Sequence, residues 1–218
     1  MTRSIQIAPD EIYHLYNRGV EKRKIFLRHS DYERFIALLY LANQTDPTDL
    51  KYQGRSFAEI TRTRTSGQLV DIIAYCLMPN HFHLLVHERT EGGIAKFMQK
   101  LTTGYTMYFN KRNERSGSLF EGTYKAKHVR DDRYFQYIIS YIHLNPVKLI
   151  DPKWKENGIK DRARAERYIE RFEYSSYRDY LGKSRPQGIL LEKDFFAELL
   201  APNDFKSCVT EWLTYNAG

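Results

Sequence analysis

The chain has 218 residues, 42% hydrophobic and 28% charged, a globular composition with length enough for the core of one medium domain. No stretch approaches the roughly 20 apolar residues of a membrane-spanning helix, and the polar N-terminus lacks a signal-peptide pattern; membrane work is excluded and a cytoplasmic location expected. A formal charge of +7 with 17 tyrosines and 12 phenylalanines, and a pI of about 9.2, favours a polyanionic partner, since cations follow phosphates while rings stack on bases.

Residues 5–18 alternate around Ile12-Tyr13-His14-Leu15-Tyr16 and end at Asn17-Arg18-Gly19, the pattern of a strand running into a turn. Ser30 and Glu33 have capping-box spacing, so a helix is expected to open at Ser30, with Tyr32, Phe35, Ile36, Leu39 and Tyr40 as its apolar stripe. Residues 45–68 are polar and read as a long loop or exposed hairpin. Leu69 to Cys76 and then His83 to His87 read as strands, with Pro79-Asn80 as the break between them. From Gly93 a helical stripe follows through Ile94, Phe97, Met98, Leu101, Tyr105 and Tyr108.

Residues 111–118 form a basic loop, and residues 119–128 a short strand with basic side chains outward. Asp131 and Asp132 favour a helix start, and that helix should run to about Asn145, before Pro146. Beyond Ile150 the composition shifts: residues 153–171 alternate in charge, usually a solvated face or linker. Residues 182–188 read as a loop, and Phe205, Cys208, Val209 and Trp212 mark a last amphipathic helix. The expected organisation is a core over residues 1–150 with residues 151–218 as an extension rather than an independent domain. The element order suits an α+β fold, an antiparallel sheet with helices packed on it. Cys76 and Cys208 match no metal spacing and read as buried thiols.

The chemistry gathers in two places. On a strand, His81 and His83 point to one face and Phe82 to the other, so two imidazoles stand side by side as a chelate for a divalent cation. On the last core helix Tyr141 and Asn145 are four apart and share a face, with Tyr134 and Ile138 continuing it and Phe135, Ile139 and Ile142 facing the core. If that face lies over the histidines, the Asn145 amide oxygen completes a three-ligand site and Tyr141 presents its phenol to a phosphate held there. Competing readings exist for each residue. Tyr137 lies one turn before Tyr141; Asn145 before Pro146 is equally a helix stop. His87 shares the parity of the pair but ends the strand and reads as exposed, and His143 lies about 200° around the helix from Tyr141.

His81-Phe82-His83 in its Met78-Pro79-Asn80 setting, followed by Tyr141-Ile-His-Leu-Asn-Pro-Val147, resembles the single-tyrosine HUH transposases, and most closely the REP-associated tyrosine transposases of bacteria. Tyr13-His14 through Asn17-Arg18-Gly19 and Ser118 through Lys125 are similar to the same family's pattern, and the likeness covers roughly residues 8–150.

That resemblance implies a ferredoxin-like or RRM-like core that binds and cleaves single-stranded DNA near hairpin-forming or palindromic repeats. It implies His81 and His83 as metal ligands, Asn145 in the place of the third ligand (a glutamine in some relatives), Mg²⁺ or Mn²⁺ as the metal, and Tyr141 as the nucleophile forming a 5′-phosphotyrosine. A nucleoid-associated location and a homodimer or a monomer both fit the family. Lys125, Lys127 and Arg130, between the two motif blocks, are the first candidates for DNA-backbone contacts, and Arg112 and Arg115 the second. Two other functions stay open: a catalytically silent nucleic-acid-binding module of the same fold, and a phosphodiesterase that uses water in place of Tyr141.

Overall fold

Period-two alternation sorts the side chains of residues 12–18 and 81–88 onto the two faces of one antiparallel sheet. The computed structural model describes residues 7–46, 56–62, 67–193 and 205–212. In it, β1 (Ile12–Arg18), α1 (His29–Ala42), α2 (Phe57–Thr61), β2 (Val70–Met78), β3 (His81–Glu88), α3 (Gly93–Arg112), β4 (Lys125–His128) and α4 (Asp132–Leu144) follow in order. The strand order is β2-β3-β1-β4, with every pair antiparallel. Apart from the short α2, this is the βαββαβ path of the ferredoxin-like fold, with α4 added.

One face of the sheet carries Tyr13, Leu15, Ile72, Tyr75, Leu77, Phe82, Leu84 and Val86, which pack with Phe35, Leu38 and Leu39 of α1 and Phe97, Leu101 and Tyr105 of α3. Phe82 is fully buried and meets Phe35 with ring centroids 5.1 Å apart; removing such a ring from water is worth about 2–3 kcal/mol. A register shift between Ile72 and Ala74 makes Ile73 an extra residue. The bulge turns Ile73, Ala74, Cys76 and Met78 toward the other face, where they meet Phe135, Ile138, Ile139 and Ile142 of α4. The apolar part of that second face is β2 with Leu85 of β3 and Ile12 of β1. The rest of β1 and β3 on that face presents His14, Tyr16, His81 and His83, and the site lies there.

β2 is an edge strand, and an uncovered edge invites pairing with another chain. Residues 174–192 cover it: the Leu77 amide donates to the Tyr174 carbonyl (2.8 Å), Ser176 to Tyr75 (3.0 Å) and Glu192 to Ile72 (3.0 Å). The same segment contains α7 (Tyr177–Tyr180), preceded by α5 (Trp154–Asn157) and α6 (Arg162–Arg171) and followed, among the described residues, by α8 (Phe205–Glu211). At the other edge β4 is short and carries Lys125 and Lys127, which blunts it.

Several expectations change. Helix α1 is capped by Asp31 rather than by Ser30 and Glu33: its carboxylate accepts the Leu27 and Arg28 amides at 2.8 and 3.0 Å. Within the stretch read as a loop, Ser56 and Glu59 close a capping box over α2, and Ile60 is buried; residues 47–55 and 63–66 of that loop lie outside the described residues. Of residues 119–128 only the last four are strand. Ile138 joins the core rather than the Tyr141 face. Asn145 keeps right-handed helical angles (φ −51, ψ −40) and Pro146 sits in the first turn of a 3₁₀ segment, Asn145–Leu149; a proline at that place has no amide bond to lose.

Candidate active site

His81 opens β3 directly after a two-residue turn, and the chain around that turn holds it in place. The Pro79 carbonyl accepts from the amides of Ile25 (2.8 Å) and Phe26 (3.1 Å), and the Asn80 carbonyl from the Gly19 amide (2.9 Å). Asn80 spends its side-chain nitrogen on the Lys22 carbonyl (3.2 Å) and its oxygen on His81 Nδ1 (2.6 Å). The Met-Pro-Asn setting of the motif is therefore a bracket that orients the first histidine.

His81 and His83 stand on one face with ring centroids 5.0 Å apart, as their spacing predicts. α4 crosses over them. The Tyr141 ring meets the His83 ring edge-on at 5.5 Å and 87°, and the Asn145 amide nitrogen donates to the Tyr141 carbonyl at 2.9 Å. Burial, with the cations Lys148, Lys155 and Arg18 nearby, pulls the His81 pKa down to about 4 despite a hydrogen bond to the Asn145 side chain. Burial pulls His83 well below the usual imidazole value. Both rings are neutral at pH 7, the state in which imidazole coordinates a metal.

Two residues outside the expected set of ligands, nucleophile and DNA contacts complete the cluster. His14 on β1 lies with its Nε2 2.8 Å from His83 Nδ1, and its ring stacks on that of His83 at 21°; burial lowers its pKa to about 3. Its place is legible from strand parity, because Ile12, His14, Tyr16 and Arg18 share a face and Tyr16 pairs with His83. Lys155, from the segment read as solvated, reaches back so that Nζ donates to Tyr141 Oη at 2.9 Å and lies 4.0 Å from the ring centre. Nothing local in the sequence marks it.

A divalent cation fits what these residues offer. Asn145 donates its amide nitrogen to the Tyr141 carbonyl and its side chain bonds His81, while His81 Nδ1 meets Asn80 Oδ1. Imidazole nitrogen and amide oxygen are both lone-pair donors that a divalent cation can accept. Among the described residues no three His, Cys, Asp or Glu side chains gather as ligands, and His14 aims at His83 rather than into the cavity. Asn145, the expected third ligand, is buried and stands outside the lining of the cavity.

The cavity measures about 710 Å³, and its wall includes Tyr16, His81, His83 and Tyr141. Arg18, Lys22, Lys24, Lys125 and Lys148 stand around it, as does the apolar Leu149. Arg18 is held by a two-pronged ion pair with Glu121 (3.0 and 2.8 Å). Of the expected DNA contacts, Lys125 lines the cavity, and Lys127, opposite His14 on β4, points to the same face. Arg130 is exposed and outside the lining. Arg112 lies over the Tyr108 ring, 5.8 Å from its centre, and Arg115 bonds Asn110 and the Ser118 carbonyl, so both are turned to α3 and its following loop.

Tyr137 is not in the cavity wall; its ring meets Trp212 at 5.0 Å, half-buried beside α8. His87 is buried rather than exposed, with Nδ1 2.9 Å from Asp71 and Nε2 3.0 Å from Asp10. His143 is buried on the far side of α4, bonded to the Ile139 carbonyl and Ser176 Oγ, as its angle around the helix predicts.

Residues 48–145 match the family described as "Transposase IS200 like". Among solved structures, a REP-associated tyrosine transposase bound to a REP hairpin is similar in fold, with a TM-score of 0.54 and 11% identity over 86% of this chain and 90% of that chain. No curated protein matches the chain in sequence.

Proposed function

On the premise that this chain is related to the IS200-like transposases through residues 48–145, we propose that it is a metal-dependent single-stranded DNA endonuclease and strand transferase. It cuts beside hairpin-forming repeats through a 5′-phosphotyrosine on Tyr141. The observation that carries this reading is the edge-on placement of Tyr141 against His83 at 5.5 Å, in one basic cavity with His81. The hairpin held by the similar fold supports the choice of DNA partner.

His81, His83 and Asn145 would hold Mg²⁺ or Mn²⁺, which when bound polarises the scissile phosphate. The chain does the rest. Lys22, Lys24, Lys125 and Lys148 take the flanking phosphates, and Tyr16 and Leu149 offer surfaces on which an unpaired base stacks. Tyr141 sits on α4, a helix fixed by the Asp131 cap, which accepts the Tyr134 amide at 2.8 Å, and by its buried isoleucines. The phenol is thus presented from a rigid element rather than a loop.

The test is covalent trapping. The protein is incubated with labelled single-stranded hairpin oligonucleotides and Mn²⁺, beside Tyr141→Phe and a chelator control, and run on denaturing gels. A shifted band that needs both Tyr141 and metal supports the reading. Cleavage without an adduct in Tyr141→Phe would assign a water-based phosphodiesterase. An adduct that survives in Tyr141→Phe moves the nucleophile to Tyr137. Binding with no cleavage of any hairpin leaves a nucleic-acid-binding module.

A further inference from the structure

We infer that Lys155, outside the segment that matches the family, is a catalytic residue of the Tyr141 reaction, acting as the cation on the nucleophilic oxygen. The inference rests on the function proposed above and adds a residue to it. The geometry is specific. Nζ is 2.9 Å from Tyr141 Oη, hydrogen-bonding distance to the atom that would attack, and 4.0 Å from the ring centre. Lys155 sits on α5, a one-turn helix with no side-chain cap, so its position comes from packing; the neighbouring Trp154 packs against the α4 core cluster.

An ammonium ion cannot accept the phenol's proton, so its role is electrostatic. The Tyr141 O–H bond breaks with its proton passing to water; the phenolate oxygen forms a bond to phosphorus. The P–O3′ bond breaks, its electron pair stays on O3′, and O3′ takes a proton from water. The products are a 5′-phosphotyrosine and a free 3′-hydroxyl. Negative charge starts on the phenolate Oη and ends on O3′, and a cation fixed at 2.9 Å from Oη stabilises the phenolate that must form before attack. Fixed charges of this kind act strongly where water is thinned. An ordinary solvated lysine would instead extend into solvent or pair with a carboxylate.

The experiment measures single-turnover adduct formation with a saturating hairpin oligonucleotide and Mn²⁺, and DNA affinity separately by anisotropy, for wild type, Lys155→Met, Lys155→Arg and Lys155→Ala. Lys155→Met keeps most of the stem and is expected to slow adduct formation by about 10²–10³-fold, with affinity changed by no more than about threefold. Lys155→Arg should keep more activity than Lys155→Met. Ethylammonium added to Lys155→Ala should restore part of the rate, which a purely structural lysine would not allow. Wild-type adduct rates in Lys155→Met, or equal losses in the Met and Arg variants with no rescue, overturn the role of Lys155 while leaving the proposed function standing. A wild-type protein that forms no Tyr141 adduct overturns both.

Discussion

His14 Nε2 and His83 Nδ1 lie 2.8 Å apart across the β1–β3 ladder, both buried, and His14 Nδ1 has no hydrogen-bond partner among the described residues. A single proton lies between the two rings. If it sits on His83 Nδ1, the Nε2 lone pair of His83 is free for a metal. If it sits on His14, His83 must carry its own proton on Nε2 and cannot coordinate through that atom. The tautomers of His14 and His83 are therefore coupled.

Replacing His14 by Phe keeps the stacking area and removes the acceptor. Partners of this kind typically account for about 10–100-fold in metal affinity, and His14→Phe is expected to weaken Mn²⁺ binding in that range, measured by calorimetry without DNA. Unchanged affinity would reduce His14 to a packing residue.

The salt dependence of DNA binding separates the two groups of cations. Lys125 and Lys148 stand at the cavity, so Lys125→Ala and Lys148→Ala should each flatten the slope of log affinity against log salt by about 0.7, the value for one phosphate of a single strand. Arg112, laid over Tyr108, should leave the slope unchanged. Fluorescence anisotropy from 50 to about 300 mM salt reads this directly. A larger effect at Arg112 would move the DNA path to α3.

Stability should fall in acid partly through a histidine remote from the site. His143 is held neutral by burial, its pKa lowered from 6.5 to about 3. Between those values the unfolded chain takes a proton that the folded chain refuses, so stability is full above pH 6.5, declines as pH falls, and levels off below about 3. The slope is at most about 1.4 kcal/mol per pH unit for one group. His143→Gln should remove that share in urea titrations at pH 7, 6 and 5; equal slopes in both proteins would count against it.

Gly19 is needed for room rather than for an unusual backbone angle. A Cβ there would stand 2.4 Å from the Arg23 carbonyl oxygen and 2.8 Å from Ile25 Cγ2, while φ is an ordinary −62. Gly19→Ala should cost about 1–3 kcal/mol, seen as a lower melting temperature. It should also loosen the Pro79-Asn80 bracket, because the Gly19 amide is one of its donors.

Sequence periodicity carried the sheet and the central pair of motifs, since a strand period of two and a helix period near 3.6 are enough to place His81 beside His83 and Tyr141 above Asn145. Where the reading failed, the deciding interaction came from far along the chain. His87 is buried because Asp10 and Asp71 close on it, and Lys155 meets Tyr141 because the extension folds back; neither has a local signature. The Ser30–Glu33 spacing lost to Asp31, whose carboxylate takes two amides at once. Turn motifs were legible as patterns, but their purpose was visible only once the Pro79 carbonyl and Asn80 side chain had their partners.

The extension does two separate things: residues 174–192 seal the outer edge of β2, and α5, before them in the chain, delivers Lys155 to Tyr141. Synthesis runs through the histidines and the tyrosine before it reaches the extension. On the proposed role of Lys155, a nascent or truncated polypeptide carries the parts of a DNA-cutting centre without its cation and with a raw sheet edge that marks it for aggregation or proteolysis. On that role the cation reaches Tyr141 only once α5 has been made and has packed.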